Sequence, residues 1–172
     1  MNAQLREFTA RVDELIPRLR RYARALTGGR DAADDLVQDT LERAWTKLHL
    51  WRSGSDLRAW LFTIMHNVHV NQLRSRAGAA MLPLDDDVPD APVRATQSDL
   101  LEVRDVQTAV NRLPVEQREV LLLVALEHMS YQETATTLGI PIGTVMSRLA
   151  RARERLRSIL DASAGVNLKI VK

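Results

Sequence analysis

Apolar residues recur at three- and four-residue spacing along almost the whole chain, and period-two strand signals are weak throughout. The pattern predicts a first helix over 12–27, with Leu15, Leu19, Ala23 and Leu26 inward and Arg18, Arg20, Arg21 and Arg24 outward. Pro17 either kinks this helix or marks its true start, and Gly28-Gly29 end it. Asp31 is placed to cap a second helix reaching 48, with Val37, Leu41, Ala44 and Leu48 as its core stripe. Ser55 or Asp56 caps a third helix over 57–77, which turns Leu57, Leu61, Ile64 and Val68 inward. Leu100 or Leu101, Val103, Val106, Val110 and Leu113 suggest a fourth. Pro114 then opens a fifth over 115–126, whose apolar run is too short to span a bilayer and suits a core.

The most specific local signal follows. Ser130 and Glu133 form a capping box, so a short helix starts at Tyr131 and stops at Gly139, the residue best suited to a left-handed exit. Pro141 opens a longer helix with Val145, Leu149, Ala152, Leu156 and Ile159 on one stripe. Ala135 is small where the two helices approach. A short helix, a tight turn and a longer helix make a helix-turn-helix. Opposite the stripe, Thr144, Ser147 and Ala150 are small enough to enter a major groove, flanked by Arg148, Arg151, Arg153, Arg155 and Arg157. Guanidinium forks suit phosphates and guanine edges, so this helix reads as a recognition helix; the plainer alternative is a solvated basic helix.

One break interrupts the helical pattern. Residues 78–98 hold three prolines after Gly78 and four aspartates, a linker composition. The expected organisation is therefore all-α: a helical domain over 1–77, a flexible linker over 78–98, and a second helical domain over 99–160 containing the helix-turn-helix. The tail, 161–172, shows no interpretable pattern and is expected to be disordered. Lys and Arg number 24 against 22 Asp and Glu, so net charge is uninformative, but its distribution is not. Residues 143–172 carry seven basic and two acidic side chains, whereas 78–142 carry four and eleven. That asymmetry suits a nucleic-acid face joined to a differently employed acidic segment. There is no cysteine, which excludes disulfides and thiolate metal sites. No signal peptide or membrane-spanning run is seen, so a cytoplasmic location is expected.

Three further groups carry candidate chemistry. Asp35, Asp39 and Glu42 cluster on the outer side of the second helix beside Gln38, which spacing alone reads as a solvated acidic face. Trp60, Thr63, Asn67, Val70 and Arg74 share a face of the third helix, next to Trp51 in a Gly/Ser loop. Aromatic, amide and basic groups together can stack on and hydrogen-bond unpaired bases; the alternative is that the tryptophans are core. His66 and His69 lack further ligands and are expected to be surface residues rather than a metal site.

These motifs together resemble the extracytoplasmic-function sigma factors, the two-domain initiation subunits of bacterial RNA polymerase. The resemblance covers residues 5–160 and rests on D-A-A-D-D-L-V-Q-D-T, R-A-W-L-F-T-I-M-H-N, L-P-V-E-Q-R-E-V-L-L-L and I-G-T-V-M-S-R-L-A-R-A-R-E-R-L in that order. It implies that Asp35, Gln38, Asp39 and Glu42 dock on the clamp helices of the largest polymerase subunit, reversing the solvated-face reading. It implies minus-ten recognition and melting by Trp51, Trp60, Thr63, Asn67 and Arg74. Minus-thirty-five recognition would fall to Thr144, Met146, Ser147, Arg148, Arg151 and Arg155, with Met146 standing where relatives often carry a basic residue. Contact with the flap of the second-largest subunit, an anti-sigma partner, and the absence of cofactor, metal or enzymatic activity are likewise implied. A repressor or activator that binds DNA through its helix-turn-helix without core polymerase is the alternative; it leaves Trp51, Asn67 and the acidic second helix unexplained.

Overall fold

The computed structural model describes residues 3–79 and 98–170, and these contain no strand. The first half is α1 (Ala3–Thr27), α2 (Arg30–Thr46), a single 3-10 turn (Leu48–Leu50) and α3 (Leu57–Ala79). The second is α4 (Ser98–Asn111), α5 (Val115–Ala125), α6 (Tyr131–Leu138) and α7 (Ile142–Ile170). The linker expected over 78–98 lies, apart from its ends, outside the described residues.

α1 begins well before position 12 and passes through Pro17 without ending. Its early turns are held by burial: Phe8 is in the core, and Val12 and Leu15 pack against it. The turn to α2 needs Gly28, whose φ of 77° is left-handed and where a Cβ would lie 2.8 Å from the Asn111 side chain of α4. Asp31 does not cap α2; extended Gly29 holds that position without a side-chain bond, and Asp31 sits in the first turn, where the helix dipole favours a carboxylate. Of the two candidate caps for α3, Asp56 serves, its Oδ1 accepting from the Ala59 N–H at 3.1 Å.

The helix-turn-helix forms as its local signals require. Ser130 accepts from the Glu133 N–H, and Glu133 accepts from the Ser130 N–H at 2.7 Å. Gly139 closes α6 in the left-handed region with φ 64°. Val145, Leu149 and Ala152 of α7 are buried against α5 and α6, with Leu156 and Ile159 half-buried. The expectation of a disordered tail is corrected: α7 continues through 161–170, a stretch with no proline to stop it.

The halves pack on one another, α1 against α4 and α5, and α3 against α6. The Arg118 guanidinium bridges them, donating to the Leu26 carbonyl of α1 at 2.6 Å and to the Val110 and Leu113 carbonyls of its own half. Burial lowers its pKa below the ordinary arginine value, and the converging carbonyls compensate the partly buried charge. Among the described residues no helix is long and apolar enough to cross a membrane.

Candidate nucleic-acid interface

α7 presents its candidate reading face to solvent. Met146, Ser147, Arg151 and Arg155 are exposed, and Thr144 is half-buried. Ser147 Oγ donates back to the Thr144 carbonyl at 3.1 Å, a bond that turns outward at little cost. Arg148 differs from the rest, because its guanidinium meets Glu116 of α5 at 3.4 Å. Its half-buried stem therefore leans away from the open face, and reading a base would require it to leave a carboxylate.

In the first half three of the acidic residues lie together. Asp35, Asp39 and Glu42 line an open cavity of about 640 Å³ between α2 and α3, with Arg43, Gln72 and Arg76 on its other walls. Gln72 Nε2 donates to Asp39 at 2.8 Å, fixing one carboxylate against α3. Gln38 lies round the helix, donating to Glu42 at 3.2 Å, and ties the two sides of the acidic face together.

The tryptophan expectation needs correction. Trp51 is 2 % exposed despite its Gly/Ser loop. Its ring meets Phe8 edge-to-face with centroids 6.2 Å apart, and Trp60 lies tilted at 6.5 Å. Gln4 donates to the Leu48 and Trp51 carbonyls, and Ser53 and the Gly54 N–H both donate to Glu7, so the start of α1 pins the loop from beneath. Those hydrogen bonds hold Glu7 below the usual carboxylate range. Trp51 thus braces the loop from inside and cannot share a surface with Asn67, which is exposed on α3 with Arg74. Thr63 is half-buried with its hydroxyl on the Ala59 carbonyl, and Trp60 is half-buried in the aromatic cluster. The outward indole is Trp45, 58 % exposed near Leu50, 62 % exposed. It escapes the sequence reading, although its place one step after core Ala44 puts it a quarter-turn off the buried stripe.

The histidines are also corrected. Neither is a free surface residue: His66 Nδ1 meets Glu119 of α5 at 2.8 Å, and His69 is 5 % exposed with no partner on Nε2. Burial is the main cause lowering the His69 pKa below 6.5, partly opposed by Glu119 and reinforced by His66, Arg118 and Arg76.

The chain matches the family described as the Sigma2 domain of PhyR over residues 12–66 and that described as Sigma-70, region 4 over 104–156. It is 37% identical over 145 residues to the ECF RNA polymerase sigma factor EcfG of Rhodopseudomonas palustris, covering 84% of this chain and 80% of that one. It belongs to the ECF sigma factors. SigM of Mycobacterium tuberculosis is another ECF relative, 36% identical over 152 residues, covering 88% of this chain and 76% of its own. The sigma factor RpoE of Bartonella quintana, solved in complex with the anti-sigma factor NepR, superposes with a TM-score of 0.74 at 37% identity, covering 90% of this chain and 96% of that one. CnrH, solved with the cytosolic domain of CnrY, gives 0.68 at 31%, covering 92% and 90%. The two family matches of this ECF sigma factor fall on either side of the undescribed segment, one on α1–α3 and the other on α4–α7.

Proposed function

We propose that this ECF sigma factor brings core RNA polymerase to a defined set of promoters through two separately exposed faces. One is the acidic face of α2 and the other the arginine face of α7. The observation that carries the reading is their coexistence in one chain, one acidic and one basic, each open to solvent. Asp35, Gln38, Asp39 and Glu42 dock on the clamp helices of the largest subunit. The second half meets the flap of the second-largest subunit, and Thr144, Met146, Ser147, Arg148, Arg151 and Arg155 engage the minus-thirty-five element. Asn67, Thr63 and Arg74 contact the minus-ten strand as it unpairs, over a loop braced by Trp51 and Trp60. The functional halves are residues 1–77 and 99–160, joined by 78–98. Because the similar sigma factor RpoE was captured with the anti-sigma factor NepR, an anti-sigma protein is assigned as the physiological restraint on this chain as well.

Transcription in vitro from a genomic library, with purified core polymerase plus this protein, tests the reading. Discrete start sites that vanish when the protein is omitted are expected. Specific duplex binding with no polymerase-dependent transcript would instead make it a repressor.

A further inference from the structure

The side chain at the centre of the domain contact belongs to neither DNA face. Glu127, in the turn after α5, is 0 % exposed. Arg18 of α1 approaches its Oε2 at 2.9 Å through Nη2 and at 3.1 Å through Nε, while Arg21 reaches Oε1 at 3.5 Å. Arg58 of α3 donates to the Glu127 carbonyl at 2.9 Å and pairs with Glu133 at 3.7 Å. Every side-chain partner of this carboxylate comes from the other half of the molecule. His66 and Glu119 make a second such crossing at 2.8 Å. The residue after Glu127, His128, holds a left-handed φ of 55° without being glycine, so the turn that delivers the carboxylate is itself strained.

We propose that Glu127, gripped by Arg18 and Arg21, is an ionic latch that holds the two halves closed in the free protein, and that the latch must open before both promoter elements can be engaged. The requirement for opening rests on the functional reading above and on simple dimensions. Elements centred about 25 base pairs apart are separated by roughly 85 Å of duplex, at about 3.4 Å per base pair. In the closed molecule α3 packs on α6 and α6 on α7. At 8–10 Å per helix layer, the two reading helices are then only about 20 Å apart. The chain between Ala79 and Ser98 reaches up to about 60 Å when extended, which together with the width of each half covers the gap.

A charged node suits this task better than more apolar surface would. A buried ion pair fixes orientation yet contributes little net stability, because both partners regain hydration when they separate. A polar contact within one chain is accordingly a reversible one. The burial is one-sided, since the Glu127 side chain is 0 % exposed while those of Arg18 and Arg21 are 37 % and 56 % exposed. Removing the arginines therefore strands the carboxylate, which opening hydrates, whereas removing the carboxylate releases two arginines that already reach water.

The chain has no cysteine, so Thr46→Cys on α2 and Ser158→Cys on α7, both exposed positions, give a clean dye pair on the full-length protein. Single-molecule energy transfer should show mainly the short distance in this parent. Glu127→Gln, and separately Arg18→Ala with Arg21→Ala, should raise the long-distance population several-fold. Salt at 500 mM should do the same to the parent. Arg18→Glu combined with Glu127→Arg should close the molecule again, which a merely misfolded variant would not do. Distances unchanged in both opening variants would overturn the latch. A second readout keeps the functional reading separate: affinity for a promoter duplex without polymerase should rise about tenfold in the opened variants. Opening without that gain would leave the latch standing and count against α3 and α7 as the paired readers.

Discussion

Phe8 and Trp51 meet edge-to-face at 6.2 Å, so the first turns of α1 and the loop before α3 form one unit. Aromatic pairs of this geometry contribute beyond their buried area. Trp51→Ala should therefore destabilise the protein by about 3–5 kcal/mol, the usual loss for a large core aromatic. Urea titration followed by circular dichroism measures it. A variant as stable as the parent, but slow to open duplex promoter, would return Trp51 to the base-stacking role that its loop setting suggests.

Asp39 is the acidic residue that α3 holds in place through Gln72. Asp39→Arg should reduce retention of core polymerase in a pull-down at least tenfold, while costing no more than about 1 kcal/mol of stability for one lost hydrogen bond. Glu42→Arg, at an exposed position, supplies the same charge reversal while losing only the exposed bond from Gln38 and leaving the Gln72 contact intact. Wild-type retention by both variants would reject the docking face.

On α7 the exposed residues divide by role. Arg155→Ala should weaken all DNA sequences alike and lower the salt slope by roughly one unit, as loss of one phosphate contact does. Ser147→Ala and Arg151→Ala should shift the preferred bases near minus thirty-five in a binding selection. Glu116→Ala should free Arg148 and strengthen DNA binding two- to fivefold; unchanged affinity would show that this pair does not hold Arg148 back.

His69 supplies the pH dependence. Its folded pKa lies below 6.5 because burial disfavours the cation. The unfolded chain then binds the proton more readily, so the stabilisation is complete above about pH 6.5 and is lost as pH falls through the folded value. Denaturant midpoints at pH 5.5, 6.5 and 7.5 should therefore fall toward acid. His69→Phe should flatten the acid limb, and an unchanged limb would assign the loss to other groups.

What the sequence made legible was what it encodes locally. Ser130, Glu133, Gly139 and Pro141 define the helix-turn-helix within twelve positions, because caps and left-handed exits act on their own backbone. The stripe from Val145 to Ile159 was equally readable from its period. Trp51 was not, since its burial depends on Phe8, in a turn of α1 that precedes the first clear repeat. His66 and Arg18 looked like solvated polar residues because their partners, Glu119 and Glu127, lie far along the chain in the other half. The continuation of α7 to Ile170 was missed for a different reason: that stretch lacks a repeating apolar face, and only continuity with a well-anchored helix carries it on.

Trp45, Trp51 and Trp60 are the three tryptophans of the chain, and all lie in the half made of α1 to α3. Indole emission consequently sees one half of the molecule, whereas far-ultraviolet ellipticity sums the helices of both. Coincident unfolding curves from the two signals mean that the halves melt as a single cooperative body; separated curves give each its own midpoint without any label being attached. Trp45, already wetted, also offers a native fluorophore for following what comes to rest on that end of α2.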